Sequence, residues 1–578
     1  MSTPPITPGD SIASASEMVQ LEESALPSSG VLTGAEVVPV AKPAGLFQTS
    51  LTAIAQWIVS AFQGITQGGT GAVQRTVNSK LLDTVNARDF GVVGNGVADD
   101  TAAIQAFFNY VTQNGLKGFI PAGNYLLSSL VTIALGAQGF ELLGAGCDSA
   151  QFLAKSTFAA TPVIQIVGTG TTIGWTLGGF AILPSSSGSG NATVGLQIGS
   201  ASNTTNINGY QFSTIKDVQI SGFVNLYGIT HARMIKFYNC AGWNQTYATA
   251  NTCVNISQNG YFTGDLVFDT CQFVSSDNAN NYAVNITSTV GPYNANNGNC
   301  SVSGIKFLNC DLYAGAQAVN ATVQNSAYLS DFWFTGVQVD QQTVNAILMV
   351  AQGSGSLIQD IHIGDCYFAK STTAQITIAA ETGATATDIY IHHNQVIQTQ
   401  NNGINFYGVG GTLKNVHVND NSFPDANTTA ALIEFNTVSR FSCSGNTASG
   451  VFGVTTAQHI VQIESGCTNF HVEGNNGAGY TAGSVINDLS GNVTKIIANN
   501  PGYNPIGLNT ITPGASPYAY VNTSGAPQVV TVSNGTVSAL NIAGIAVTVQ
   551  TDNQIVVPQG ATLTVTYSAV PNMYSIGL

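Results

Sequence analysis

The sequence predicts an all-β protein whose body is a right-handed parallel β-helix. Around it are expected a small N-terminal segment, an N-terminal capping helix and a C-terminal β-sandwich-like domain. Three observations carry this reading. The 578 residues include 63 Gly and abundant Asn, Thr, Ser and Val, and only 7% are charged, against roughly 25% in ordinary globular chains. Apolar residues alternate with polar ones in short runs bounded by turn residues, which is the period of strands. Between about residues 210 and 504 these runs recur as one internal repeat, the signature of a solenoid.

Charge narrows the partners. With 29 acidic and 14 basic residues the net charge is −15, which argues against a nucleic-acid partner, since phosphates reward clustered Lys and Arg. No apolar run approaches the roughly 18 residues of a membrane span, so membrane insertion is not expected. The start MSTPPITPGD lacks the basic and apolar regions of a signal peptide, so standard secretion is not expected either.

Residues 1–80 form the expected leader and neck. Pro4, Pro5, Pro8, Pro27, Pro39 and Pro43 divide the leader into short pieces, because proline interrupts a helix. Within it Leu51, Ile54, Ala55, Ile58, Val59 and Phe62 recur with helical spacing, predicting one amphipathic helix that packs on its own copies, on a partner or on a small local core. The run QGGTGAV at 67–73 reads as a hinge.

The β-helix is expected over 81–510. In its first part Asp99 or Asp100 is placed to cap a helix with Ala103, Ala106, Phe107, Tyr110 and Val111 on one face. The runs GFIPAGNYLLSSLVTI and FELLGAG follow as strands. The repeat then begins each unit at an apolar position: Val218, Ile235, Leu266, Ile305, Phe332, Ile361, Ile389, Val416, Phe441, Phe470 and Ile496, the last seven steps being 25 to 29 residues. Each coil is one strand thick, about 4.8 Å of rise, so neighbours must stack to bury a core. Upstream of many of these positions stands a second strand, such as CVNIS, AVNIT, LIEFN or IVQIE.

The same alignment explains four of the nine cysteines. Five residues after the apolar position stand Cys240, Cys271, Cys310 and Cys366, then Asn394, Asn421, Asn446 and Asn475. Small thiols suit a tight interior bend, and stacked amides bond from coil to coil. With no CxxC pair they predict neither zinc nor a disulfide framework. Asp217, Asp265, Asp331, Asp360 and Asp388 share the position just before the strand, where an Asx turn is expected. Residues 511–578 read as a small antiparallel domain whose physical role is to cover the last coil.

The order VNARDFGVVGNGVADDTAAIQAFF, GFIPAGNYLL, FELLGAG resembles the opening of pectate-lyase-like β-helix proteins, and the match covers roughly residues 82–146. Together with the Pro-rich leader, the GGTGA neck and the terminal β-domain, the arrangement resembles a bacteriophage tailspike. That resemblance implies a homotrimer on the virion, assembled in the host cytoplasm, with residues 511–578 serving for trimerisation or glycan binding besides capping. It would be attached through its N-terminus to a baseplate or tail protein, and would bind and usually cleave a bacterial surface polysaccharide. Free thiols fit that setting.

Glycoside hydrolysis needs two carboxyl groups at a defined spacing. Asp311 and Asp340 fall one coil and two residues apart, predicting about 8 Å between them. Gln272, Tyr313, Gln338, Tyr367 and Gln395 occupy the same two columns and suit sugar hydroxyls and rings. Glu434 and Glu464 form a second pair at the same offset on another sheet, beside Asn405, Tyr407 and Gln462. A third stripe runs Trp333, His362, Tyr390, His417, Ser442, His471, with His392 near. Its rings suit a glycan groove, its His or Tyr a proton abstraction in β-elimination, or the face packs on other subunits. No metal or cofactor is expected. The leading reading is a hydrolytic depolymerase. Its alternatives are a polysaccharide lyase, a non-catalytic tail fibre or adhesin, and a free bacterial pectate-lyase-like enzyme.

Overall fold

The computed structural model describes residues 37–578 except 43–44, 63, 65, 137, 169–173, 187–191, 201–211, 245–250, 259, 279, 290–300, 399, 426–427, 451–456, 480, 505 and 551. The first 36 residues of the leader, with Pro4, Pro5, Pro8 and Pro27, lie outside the described residues. The chain forms two compact units, one ending at Thr84 and one spanning Val85–Leu578. In the first, an antiparallel pair Val37–Lys42 and Gly45–Ser50 leads into the amphipathic helix at Leu51–Phe62.

The second unit is a parallel β-solenoid. One face is a 13-stranded parallel sheet in which each strand pairs with those of the preceding and following coils. It contains the expected upstream strands, such as Thr252–Gln258, Tyr282–Ser288, Ala431–Asn436 and His459–Ile463. The second face stacks strands such as Tyr328–Thr335, Leu357–Gly364, Thr385–His392 and Thr412–Asn419. The third carries three-residue strands, among them Gln272–Val274, Asp311–Tyr313, Gln338–Asp340 and Tyr367–Ala369. Inward positions form one continuous apolar core. Phe237, Phe268 and Phe307 stack through it with centroids 4.5 and 4.7 Å apart.

The repeat column holds from Ile235 to Phe470 through direct register pairs. Its two ends differ from expectation. Val218 pairs with Phe180 in a neighbouring column, because Ser213–Ser221 runs unbroken across what later coils split into two strands. At the other end Lys495, not Ile496, faces Phe470. Lys495 is buried and ion-paired to Asp488, whereas Ile496 is 48% exposed.

Two left-handed residues per coil turn the corners. Asp217, Asp265, Asp331, Asp360 and Asp388 lie inside the strands at φ of 51 to 57°, not in Asx turns before them. Gly304, Asn415, Arg440 and Asn469 take the same conformation in the same column. Short polar side chains tolerate this region best, which explains the Asp column without chemistry. A second left-handed column, Asn239, Thr270, Asn309, Gly336, Asp365, His393, Asp420, Gly445 and Gly474, separates the second face from the third.

Just after that bend comes the Cys and Asn column. The cysteines there are buried and free, and Cys310 Sγ donates to the carbonyls of Phe268 and Leu308 at 3.4 Å. Val337 fills the slot between Cys310 and Cys366. From Asn394 the amides form a ladder: Nδ2 of Asn394, Asn421, Asn446 and Asn475 donates to Oδ1 of the next Asn at 2.8 to 3.0 Å, ending on Asn500. Cys300 lies outside the described residues.

The capping helix spans Thr101–Asn114 and buries Ile104, Phe107, Phe108, Val111 and Thr112. Ala106 and Tyr110, assigned to this face from spacing, are exposed. The face is rotated because Phe108 packs edge-on against Phe152 of the solenoid, centroids 6.1 Å apart. Asp100 occupies the N-cap position without a capping side-chain bond, since its carboxylate accepts instead from the amides of Val93 and Gly94 at 2.7 and 3.0 Å. Asp99 takes the amide of Thr101 at 3.0 Å. At the far end two four-stranded antiparallel sheets enclose a separate core that includes Val530, Ile555, Leu563 and Val565.

Candidate functional site

The third face places Asp311 and Asp340 on adjacent strands. Asp311 pairs with Gln338 and Tyr313 with Asp340, so the two acids are diagonal neighbours. A coil spacing of about 4.8 Å and about 6.6 Å along the strand separate their Cα atoms by about 8 Å. Their surroundings differ. Asp311 Oδ2 accepts from Gln272 Nε2 at 2.9 Å, and Gln272 Oε1 accepts from Trp243 Nε1 at 3.2 Å. Burial lifts the Asp340 carboxyl above the ordinary range, Asp311 adds to this, and Lys370 and the Gln341 amide oppose it. One buried Asp340 oxygen has no hydrogen-bond partner among the described residues.

Gln338 and Gln395 are exposed beside the pair, while Tyr313 and Tyr367 are half-buried. Burial, with the Asp340 charge, also raises the Tyr367 phenol. Trp243, 48% exposed, stands two coils before Tyr313 in the same column. Sequence reading passed over it, although its place three residues after Cys240 repeats that of Tyr313 after Cys310.

Glu434 and Glu464 lie on the 13-stranded face. Glu434 pairs with Gln462, two residues before Glu464, so the offset repeats the diagonal of the aspartates. Burial raises the Glu434 carboxyl, opposed by a hydrogen bond from Asn402 Nδ2 at 2.9 Å and aided by Glu464. Glu464 Oε1 accepts from Gln462. This pair has amide partners on both acids and no exposed ring in its immediate columns except Tyr407, 46% exposed.

Trp333, His362, Tyr390, His417, Ser442 and His471 are directly in register on the second face. The first four rings stack face to face, with centroids 3.9, 4.7 and 4.9 Å apart and interplanar angles of 7 to 9°. Lys306 Nζ covers the other face of Trp333 at 5.6 Å. Ring faces are therefore occupied by one another, and what the stripe offers to solvent is edges. Burial holds the His362 and His417 imidazoles below their ordinary value. His417 Nδ1 contacts Ser442 Oγ at 2.8 Å, and His471 Nε2 pairs with Glu473 at 3.0 Å. His392 lies beside the ladder against His393, their Nδ1 atoms 3.0 Å apart.

At the foot of the ladder opens a groove of about 590 Å³, lined among others by His417, Arg440, Ser442, His471 and, from the terminal sandwich, Gln559. It is not adjacent to either acid pair. Among the described residues no three His, Cys, Asp or Glu are arranged to hold a metal ion, and no helix is long and apolar enough to cross a membrane.

Residues 84–317 match a family model described as rhamnogalacturonase A/epimerase, pectate lyase-like. The match contains most of the segment whose motifs resemble pectate-lyase-like proteins and extends into the coils. Comparison with curated proteins gave no match. Among solved structures the chain is similar to tailspike protein 3 of bacteriophage CBA120, at 14% identity over 84% of this chain and 75% of that one, TM-score 0.43. The tailspike of E. coli bacteriophage HK620, solved with a pentasaccharide, is 12% identical over 89% and 97%, TM-score 0.40. The Streptococcus pneumoniae surface adhesin PfbA is 14% identical over 70% and 100%, TM-score 0.43.

Proposed function

We propose that this pectate-lyase-like solenoid is a phage tailspike that binds a bacterial surface polysaccharide and cleaves it by glycosidic hydrolysis on its third face. The observation that carries the chemistry is the unequal aspartate pair. Asp340, raised by burial and lacking a partner on one oxygen, suits the acid that protonates the leaving glycosidic oxygen. Asp311, held by Gln272 at 2.9 Å, suits the base that takes a proton from water attacking the anomeric carbon on the opposite side. With backbone positions about 8 Å apart on one face, the offset is compatible with the inverting window of about 6.5 to 9.5 Å between carboxyl groups, which leaves room for that water. Trp243, Tyr313, Gln338 and Tyr367 would hold flanking sugars by ring contact and hydrogen bonding.

The match to a model of carbohydrate-active proteins supports the substrate class. The phage setting, the homotrimer and N-terminal attachment to a tail protein rest on the resemblance of leader, neck and terminal domain to tailspikes. A second reading is β-elimination: the lowered His362 and His417 are neutral imidazoles at pH 7, the state a proton-abstracting base requires.

The test is a reducing-end assay of the full chain on capsules and lipopolysaccharides, with unsaturated-uronate absorbance read in parallel. New reducing ends without absorbance, lost in Asp340→Asn while glycan binding persists, are expected. Absorbance together with reducing ends would move the chemistry to the ladder. Binding with neither signal would make the protein an adhesin.

A further inference from the structure

The ring ladder of the second face contains one coil without a ring. Trp333, His362, Tyr390 and His417 stack at 3.9 to 4.9 Å, the next coil brings Ser442 into register, and the coil after it brings His471. His417 stacks on Tyr390 through one ring face, so its other face turns toward the level of Ser442. From His417 to His471 is two coil steps, about 9.6 Å at about 4.8 Å each, which is room for one more flat ring at the spacing of the ladder. That level opens into the groove of about 590 Å³ that His417, Ser442 and His471 all line.

Beside this level stands a free cation. Arg440 lines the groove, is exposed, and makes no salt bridge among the described residues. It holds φ at 54° where the coils on either side place Asn415 and Asn469 at 54 and 55°. Asn tolerates that region and Arg is strained in it, and strain of this kind gathers at ligand clamps. The charges around it are already matched: Asp388 accepts from Asn415 Nδ2 and Thr387 Oγ1 at 3.0 Å each, Glu473 accepts from Asn499 Nδ2 at 2.8 Å and pairs with His471, and Lys495 is paired with Asp488. The floor is apolar, with Phe441 and Phe470 stacked at 4.8 Å and Ile496 48% exposed. Its one hydroxyl, Ser442 Oγ, is engaged by His417 Nδ1 at 2.8 Å. A sugar's hydroxyls turned to this floor would lack partners, whereas the C–H edge of an aromatic ring would bury apolar surface there.

We propose that the level of Ser442 is a binding site for a small aromatic carboxylate, its ring stacked beneath His417 and its carboxylate on Arg440. The ring extends the ladder by one rung toward His471, and the guanidinium takes the carboxylate through paired N–H donors. The volume lies within the roughly 300 to 1,000 Å³ of ordinary small-ligand sites. Gln559 of the terminal sandwich lines the same groove, so an occupied site touches solenoid and sandwich together and stabilises the folded chain in proportion to its affinity. It stands four coils from Asp340 along the stack, about 19 Å at about 4.8 Å per coil, and is independent of cleavage at the aspartates.

The experiment is saturation-transfer NMR and thermal melting of the full chain with benzoate, against benzamide, cyclohexanecarboxylate and galacturonate as its uncharged, non-planar and sugar counterparts. Benzoate is expected to bind more tightly than all three and to raise the melting temperature. Arg440→Asn, which restores the residue type of the neighbouring coils, should weaken benzoate about tenfold while the unliganded melting temperature holds or rises. Ser442→Phe, which puts a ring at the ringless level, should abolish benzoate binding, and Arg440→Asn keeps the test decisive if Ser442→Phe does not fold. The proposal is overturned by absence of benzoate binding, by a counterpart that binds as tightly, or by either folded variant binding benzoate like the wild type.

Discussion

The aspartate flank and the ring ladder occupy neighbouring faces of overlapping coils, yet they treat their functional groups in opposite ways. On the second face Trp333, His362, Tyr390 and His417 are directly in register, and rings a coil apart stack on one another. On the third face the acids are diagonal, two residues out of register, and neither contacts the other. A column of like groups in a solenoid satisfies itself and becomes structure. A diagonal pair leaves a gap in which a third molecule fits. Proximity in the repeat is thus no measure of chemical promise.

The comparison breaks first at the acids. Asp311→Asn is expected to lower kcat by about 10² to 10⁴, the usual worth of a positioned base, whereas His362→Ala should leave cleavage within a few-fold of wild type. Reducing-end kinetics on one substrate decide between them, and the reverse ranking would make the ladder the catalyst. If Asp340 is the acid, kcat/KM falls as pH rises through its raised value, because the proton to be donated is gone. Its ionised form is also the one that burial penalises, so stability is lost as pH rises through that value. Asp340→Asn should then melt higher than wild type at neutral pH while being inactive.

A second, smaller effect concerns the structural column. Asn446 donates to Val418 O at 2.9 Å and to Asn475 at 2.8 Å and accepts from Asn421 at 3.0 Å. Asn446→Ala strands buried partners and should cost about 2 to 3 kcal/mol, measured by chemical denaturation, with catalytic constants of the surviving fold unaltered.

The ladder carries a pH signature of its own. Since burial lowers His362 and His417, the unfolded chain takes up protons first. The stability contributed by the neutral stack is full above about pH 6.5 and is lost as pH falls through the lowered folded values. His417→Phe should flatten this acid loss in thermal melts between pH 8 and 5; an unchanged slope would remove the ladder as its source. The smallest effect belongs to Trp243→Ala, expected to raise KM about three- to tenfold with kcat held. A fall in kcat alone would instead tie Trp243 to the chemistry through Gln272.

Much of this was legible in one dimension. The 25 to 29-residue period, the Cys-to-Asn column and the diagonal offset of Asp311 and Asp340 are all statements about register. In a solenoid register is neighbourhood, so inward alternation and coil-to-coil partners follow from sequence spacing. The ladder Asn394 to Asn500 and the ring stripe emerged in the columns where spacing placed them, and Asn500 extends the former by one step. Spacing failed where the repeat itself changes: at Val218, where two strands are still one, and at Lys495, where an ion pair replaces an apolar residue. It failed again at the capping helix, whose buried face is set by what lies beneath it, Phe152 among others. Only the folded chain decided that Asp340 is desolvated while Asp311 is hydrogen-bonded, that the rings spend their faces on one another, and that the last coil meets the sandwich across a crevice. These depend on burial and on side-chain direction, which arise from packing between coils and between domains and have no image in the period of a sequence.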